Sequence, residues 1–176
     1  MADLPAARRV VRAAAAAGRV AFAQVVLDYD ARFLRRKRLV TLQGEGFLVN
    51  LAETTSLDAG DCLELDDGRL IAVRAAEEPL LVISGAALPR YAWHVGNRHT
   101  PCQIEEDRLL IRQDHVLEAM LTQLGATVAR AFEPFTPEGG AYGLGRTMGH
   151  EHGPAHSMWG QAEGAAFELP AALRAK

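Results

Sequence analysis

LLVISGAALPRYAWHVGNRHTPCQIEEDRLLIRQDHVLEAMLTQLGATVARAF, residues 80–132, changes rhythm along its length, and those changes set the fold. Leu80-Leu81-Val82-Ile83 is an unbroken apolar run of the kind a buried strand needs. Ala87, Leu88, Tyr91, Ala92 and Val95 then recur at helical spacing, with Pro89 tolerated in the first turn and Gly96 placed as a C-terminal stop. Gln103-Ile104-Glu105 and Arg108-Leu109-Leu110-Ile111-Arg112 read as a hairpin turning at Glu106-Asp107. Asp114 is a natural N-cap for a second helix, whose apolar face is Leu117, Met120, Leu121 and Leu124 and whose end is Gly125. Thr127 to Phe132 supply a last strand. The order βαββαβ is the ferredoxin-like arrangement.

Upstream, the text is strand-rich. Val20 to Leu27, Leu39 to Leu42, Phe47 to Leu51, Cys62 to Leu65 and Leu70 to Val73 are short β-type runs, separated by turn signals at Gly44-Glu45-Gly46, Asp58-Ala59-Gly60-Asp61 and Asp66-Asp67-Gly68. Such a series predicts a small β-barrel or sandwich, and Glu77-Glu78-Pro79 reads as the break before the second unit. Residues 1–19, with arginines interrupting valines and alanines, read as a frayed or helical extension, not a targeting peptide. Beyond about Pro134 the sequence turns to Gly, Pro, Ala and His, so a flexible tail is expected. The chain thus divides into an extension (1–19), a β-rich domain (20–75), a ferredoxin-like domain (76–135) and a His-containing tail (136–176), an α+β architecture overall.

Composition excludes several classes. A formal net charge of −3 gives no electrostatic reason to expect nucleic acid or an anionic membrane as the main partner. No stretch approaches the roughly 18 apolar residues that span a bilayer. Cys62 and Cys102 are too far apart for a zinc knuckle and too few for a disulfide framework, which favours a reducing cytoplasm.

The chemistry resides in histidine. All six lie in the second half of the chain. His99 follows the first helix at a corner before Thr100-Pro101; it is either a plain surface residue or one donor of a site whose other donors come from elsewhere, because a useful imidazole site needs several converging ligands. A twofold axis at this surface would set the residue opposite its own copy. His115 opens the second helix, where the dipole favours the neutral, ligating form; it reads equally as a solvated helix start. His150, His152 and His156 sit among glycine, proline and alanine, either as metal ligands on a mobile arm or as parts of an ordinary tail. His94 suits the C-terminal dipole of its helix and reads as structural. Arg35-Arg36-Lys37-Arg38 reads as a solvated loop or a protein-docking spot in preference to a nucleic-acid patch.

Gly96-Asn97-Arg98-His99-Thr100-Pro101-Cys102-Gln103-Ile104, then Asp114-His115-Val116-Leu117 with Met120-Leu121, then Glu138-Gly139-Gly140-Ala141-Tyr142-Gly143 and Gly149-His150-Glu151-His152, closely resemble the UreE family, accessory proteins that deliver nickel during urease maturation. The resemblance runs from about Leu27 to His156 and takes in Asp66-Asp67-Gly68-Arg69 and Glu78-Pro79-Leu80-Leu81. It implies a β domain that engages partner proteins and a ferredoxin-like domain that forms a homodimer. By the same resemblance His99 lies at the dimer interface, sharing one Ni(II) with its mate, and His150 and His152 complete the coordination. His115 matches the second member of a peripheral H-x-H pair whose first position here is Gln113. The partners it implies are the accessory GTPase UreG and the complex of apo-urease with UreD and UreF.

Other classes remain beside this one. A general divalent-metal binding or storage protein would use the same imidazoles for Zn(II) or Cu(II), which the Irving–Williams order makes competitive. An RNA-binding module shares the βαββαβ order but needs aromatics on its central strands, and Gln103-Ile104-Glu105 and Leu109-Leu110-Ile111 have none. A zinc hydrolase would need a general base or an H-E-x-x-H spacing, and neither is present, so no enzymatic activity is expected.

Overall fold

The computed structural model describes residues 4–139. The first part contains β1 (Ala6–Val11), a single helical turn α1 (Ala13–Ala16), β2 (Ala23–Leu27), β3 (Phe33–Val40), β4 (Gly46–Ser56), β5 (Cys62–Leu65) and β6 (Leu70–Ala75). These strands form one sheet in the order β2-β6-β5-β1-β4-β3. It is mixed: β1 runs parallel to β4 and β2 parallel to β6, and the other pairs are antiparallel. The sheet curls until its two ends meet, where the Leu42 N–H, just past β3, donates to the Gln24 carbonyl of β2 at 2.8 Å. Alternate residues of every strand fill the inside of the curl, among them Ala7, Val25, Leu39, Val49, Leu63 and Val73.

Two expectations for this part are corrected. Residues 6–11 are no frayed extension, since β1 lies inside the sheet between β5 and β4. Arg8 and Arg9, which break the apolar pattern, sit at a register shift and reach Asp66 at 2.9 Å and Glu64 at 2.6 Å. Cross-strand carboxylates offset the charges, so Ala6, Ala7 and Val11 can be buried. Likewise Arg35-Arg36-Lys37-Arg38 is no loop: all four belong to β3, the edge strand, where exposed side chains need no apolar partner.

The second part follows after one residue. β7 (Glu77–Ser84), α2 (Leu88–Gly96), β8 (Gln103–Ile104), β9 (Leu109–Arg112), α3 (His115–Gln123) and β10 (Thr127–Pro134) build an antiparallel sheet in the order β10-β7-β9-β8. Its first strand pairs with its fourth and third, which is the ferredoxin-like topology, and the whole is α+β. Glu77-Glu78-Pro79 does not break the chain but starts β7, opposite Pro134, Glu133 and Phe132 of β10. The missing N–H of Pro79 costs little, because the ladder to β9 begins only at Leu80.

Both helices lie on one face. Tyr91 and Val95 of α2 and Leu117 and Leu121 of α3 pack on Leu81, Ile83, Leu109 and Ile111. The alternate residues Leu80 and Leu110 point to the other face and are fully buried against Phe135, with Tyr29 beside them. Asp114 caps α3 as its sequence position predicts, its carboxylate accepting from Val116 N (2.8 Å) and Leu117 N (3.0 Å).

The two sheets touch through the segment between β2 and β3. Tyr29 N donates to Glu78 Oε1 at 2.6 Å, Arg112 Nη1 reaches Asp30 Oδ2 at 2.6 Å, and the buried Arg32 guanidinium donates to the Phe135 carbonyl. The Tyr29 and Phe135 rings meet edge to face at 5.5 Å.

Candidate metal centre

The His99 corner is made by the way α2 ends. The helix continues through Gly96, which was expected to stop it, and is capped at Asn97. Closure comes from the backbone of the next residues: Asn97 N donates to Trp93 O (2.9 Å), Arg98 N to Val95 O (3.1 Å) and His99 N to Gly96 O (2.9 Å). The residue that takes the left-handed conformation is His99 itself, at φ +55°, the only non-glycine described with positive φ. Histidine is among the residues that tolerate this region. Its side chain is exposed, on the rim of a cleft of about 640 Å³ that also touches Glu78, Arg98, Arg112, Gln113 and Asp114.

Cys102, close by in sequence, is a poor additional donor. Burial, with the Glu138 carboxylate adding to it, pushes its thiol up to about 11, so it is protonated at neutral pH. The corner therefore presents imidazole without thiolate.

His115 is the first residue of α3 and is exposed. It does not line the cleft beside His99, although Gln113 and Asp114 do. Among the described residues, no group of three or more His, Cys, Asp or Glu side chains is placed to hold a metal ion. His150, His152 and His156 lie outside the described residues. The root of their segment is nonetheless placed: Thr136 N donates to Gln103 Oε1 at 2.7 Å and Glu138 N to the Cys102 carbonyl at 2.9 Å. The chain thus passes into residues 140–176 beside the His99 corner.

Sequence reasoning missed the polar joint beneath this cleft. Arg32 and Glu78 are 3% and 8% exposed, and each is buried because a segment flanking the other sheet supplies a hydrogen-bond partner: Phe135 O, just past β10, for Arg32 and Tyr29 N, between β2 and β3, for Glu78. A pairing between residues so distant in sequence leaves no local signal. The face an RNA-binding module would offer is also closed, since Leu80 and Leu110 on the central strands are covered by Phe135 and Tyr29.

Models of the UreE urease accessory protein match in two consecutive pieces, the N-terminal domain over residues 7–76 and the C-terminal domain over residues 74–158. The chain belongs to the UreE family. The urease accessory protein UreE of Cereibacter sphaeroides is 63% identical over 155 residues, covering 88% of this chain and 84% of the relative. That of Ruegeria pomeroyi is 60% identical over 152 residues, covering 85% and 99%. The Rhodobacter capsulatus UreE is 67% identical over 132 residues, covering 75% and 84%. Membership places the chain among the accessory proteins of urease maturation, and its relatives are named as accessory proteins, not as enzymes.

Proposed function

We propose that the chain is a nickel carrier whose cargo ion is shared between the His99 side chains of two copies, with His150 and His152 completing the coordination. The observation that carries this reading is His99 itself: an exposed imidazole in a left-handed corner, where the described residues of one chain bring together no group of three metal donors. A second copy across a twofold axis would double the donors, and the segment that leaves the described residues beside Cys102 carries His150 and His152 as further ones. The same helix layer exposes Trp93 (63%) and Val116 (61%), apolar surface for a homodimer to cover.

Neutral imidazoles at an accessible seam hold a borderline ion reversibly, whereas thiolates would retain it and invite oxidation. Release to the accessory GTPase UreG, and onward to apo-urease with UreD and UreF, then needs only competing ligands. His115 stands apart as a peripheral donor, and His156 as a further tail donor. Zn(II) and Cu(II) would compete for the same imidazoles. The two free cysteines fit a cytoplasmic setting, and among the described residues no helix is long and apolar enough to cross a membrane.

Calorimetric titration of Ni(II) into the wild type and His99→Ala tests the reading. The variant should keep its circular dichroism and lose the tightest binding event, while His115→Ala should keep it. Retention of tight binding by His99→Ala would remove His99 from the centre.

A further inference from the structure

The arginine-rich strand β3 stands outside the metal reading and does not depend on it. Elsewhere in the N-terminal part Arg8, Arg9, Arg12, Arg19 and Arg69 each reach a carboxylate, while Arg74 of β6 forms no ion pair among the described residues. Arg35, Arg36, Lys37 and Arg38 form no ion pair among the described residues, although the chain carries a net charge of −3. They lie on the last strand of the sheet, whose outer side bonds no strand along residues 34–39 among the described residues and meets β2 only past its end, where Leu42 N donates to the Gln24 carbonyl. Among the described residues, the backbone of residues 34–39 makes ladder bonds to β4 only. Alternate N–H and C=O groups along it therefore face outward, as on any edge strand.

Register sorts the side chains. Arg36 lies opposite Asn50, Arg38 opposite Leu48 and Val40 opposite Gly46, which puts these three on one face, and Lys37 and Leu39 point to the other. On the arginine face, Val40 is 55% exposed and Leu48 37%, with Leu42 (61%) just beyond the strand. Charge on an edge strand also guards against self-pairing. A guard, however, has no use for exposed apolar side chains at the end of the charged row. A strand that brings carboxylates would turn the same repulsion into attraction and cover that surface.

We propose that the outer edge of β3 takes up an extended acidic segment of a partner protein as an added strand. Its carboxylates would meet Arg36 and Arg38, and an apolar residue would meet Val40. Backbone hydrogen bonds to the open edge would supply affinity and the charge pairs would supply selection.

The test is fluorescence anisotropy of a labelled peptide carrying glutamate, glutamate and valine at three successive alternate positions, so that all three share one face of the added strand, titrated with the full chain without metal at low ionic strength. Saturable binding is expected, and it should weaken about tenfold or more in Arg36→Glu/Arg38→Glu. The milder pair Arg36→Gln/Arg38→Gln, at exposed positions, should weaken it less while preserving circular dichroism. A copy of the peptide methylated at alternate backbone nitrogens keeps every charge but cannot join the ladder, so it should not bind. Nickel binding should be unchanged in both double variants. Absence of binding, indifference to both pairs of substitutions, or equal binding of the methylated peptide would each overturn the proposal. So would tighter binding of an oligouridylate through the same arginines, which would make the edge a general polyanion surface.

Discussion

His99 occupies a backbone conformation that a side chain adopts at a cost, and glycine would adopt it freely. On the proposed reading, the cost is borne because the imidazole at this corner serves the metal. The expectation is specific: His99→Gly should fold about 0.5–1 kcal/mol more stably than His99→Ala in urea titration, because only the second keeps a β-carbon at positive φ. Both should lose tight nickel binding. Equal stabilities would mean that the corner is unstrained. The position of His99 after a helix was readable from the spacing of Ala87 to Val95. Its left-handed geometry was not, since Gly96 is the residue that sequence rules nominate for that role and the helix runs through it.

At the scale of elements, the ferredoxin-like half was legible because each strand and helix carries its own period and its own cap, as Asp114 and Leu117 show. The N-terminal half was less so. β1 is held by Leu48, Val49 and residues of β5, all far away in sequence, and its arginines hide the alternation until Asp66 and Glu64 are seen across from them. Glu77-Glu78-Pro79 misled for the same reason, Glu78 being stabilised by the Tyr29 N–H from the segment between β2 and β3. A comparable long-range tie gives a pH prediction. Arg108 holds Glu105 (2.5 Å) and Glu133 (2.9 Å), joining the β8–β9 hairpin to β10, and its hydrogen bond holds the Glu105 carboxyl below the ordinary range. A carboxyl with a depressed folded pKa contributes stability above its unfolded value, and that contribution is lost as pH falls through the folded value. Arg108→Gln should therefore melt below the wild type at pH 7, and the gap should close below about pH 4. A gap that stays constant down to pH 3 would assign the effect to packing of the arginine stem.

At the scale of the molecule, the joint of Arg32, Glu78, Arg112 and Phe135 ties the two sheets together, and the chain leaves the described region beside the proposed metal corner. If the tail histidines add ligands to a seam that forms without them, truncation after Gly149 should weaken nickel binding and leave the dimer intact. Unchanged affinity in sizing and calorimetry experiments would make the tail a bystander. The central claim is that one ion is shared by two chains, and native mass spectrometry of the nickel-loaded protein measures that ratio directly. The predicted result is a dimer carrying one tightly held nickel ion, reduced to an apo dimer by His99→Ala; a nickel-loaded monomer, or a dimer that keeps one tight ion per chain without His99, would contradict it.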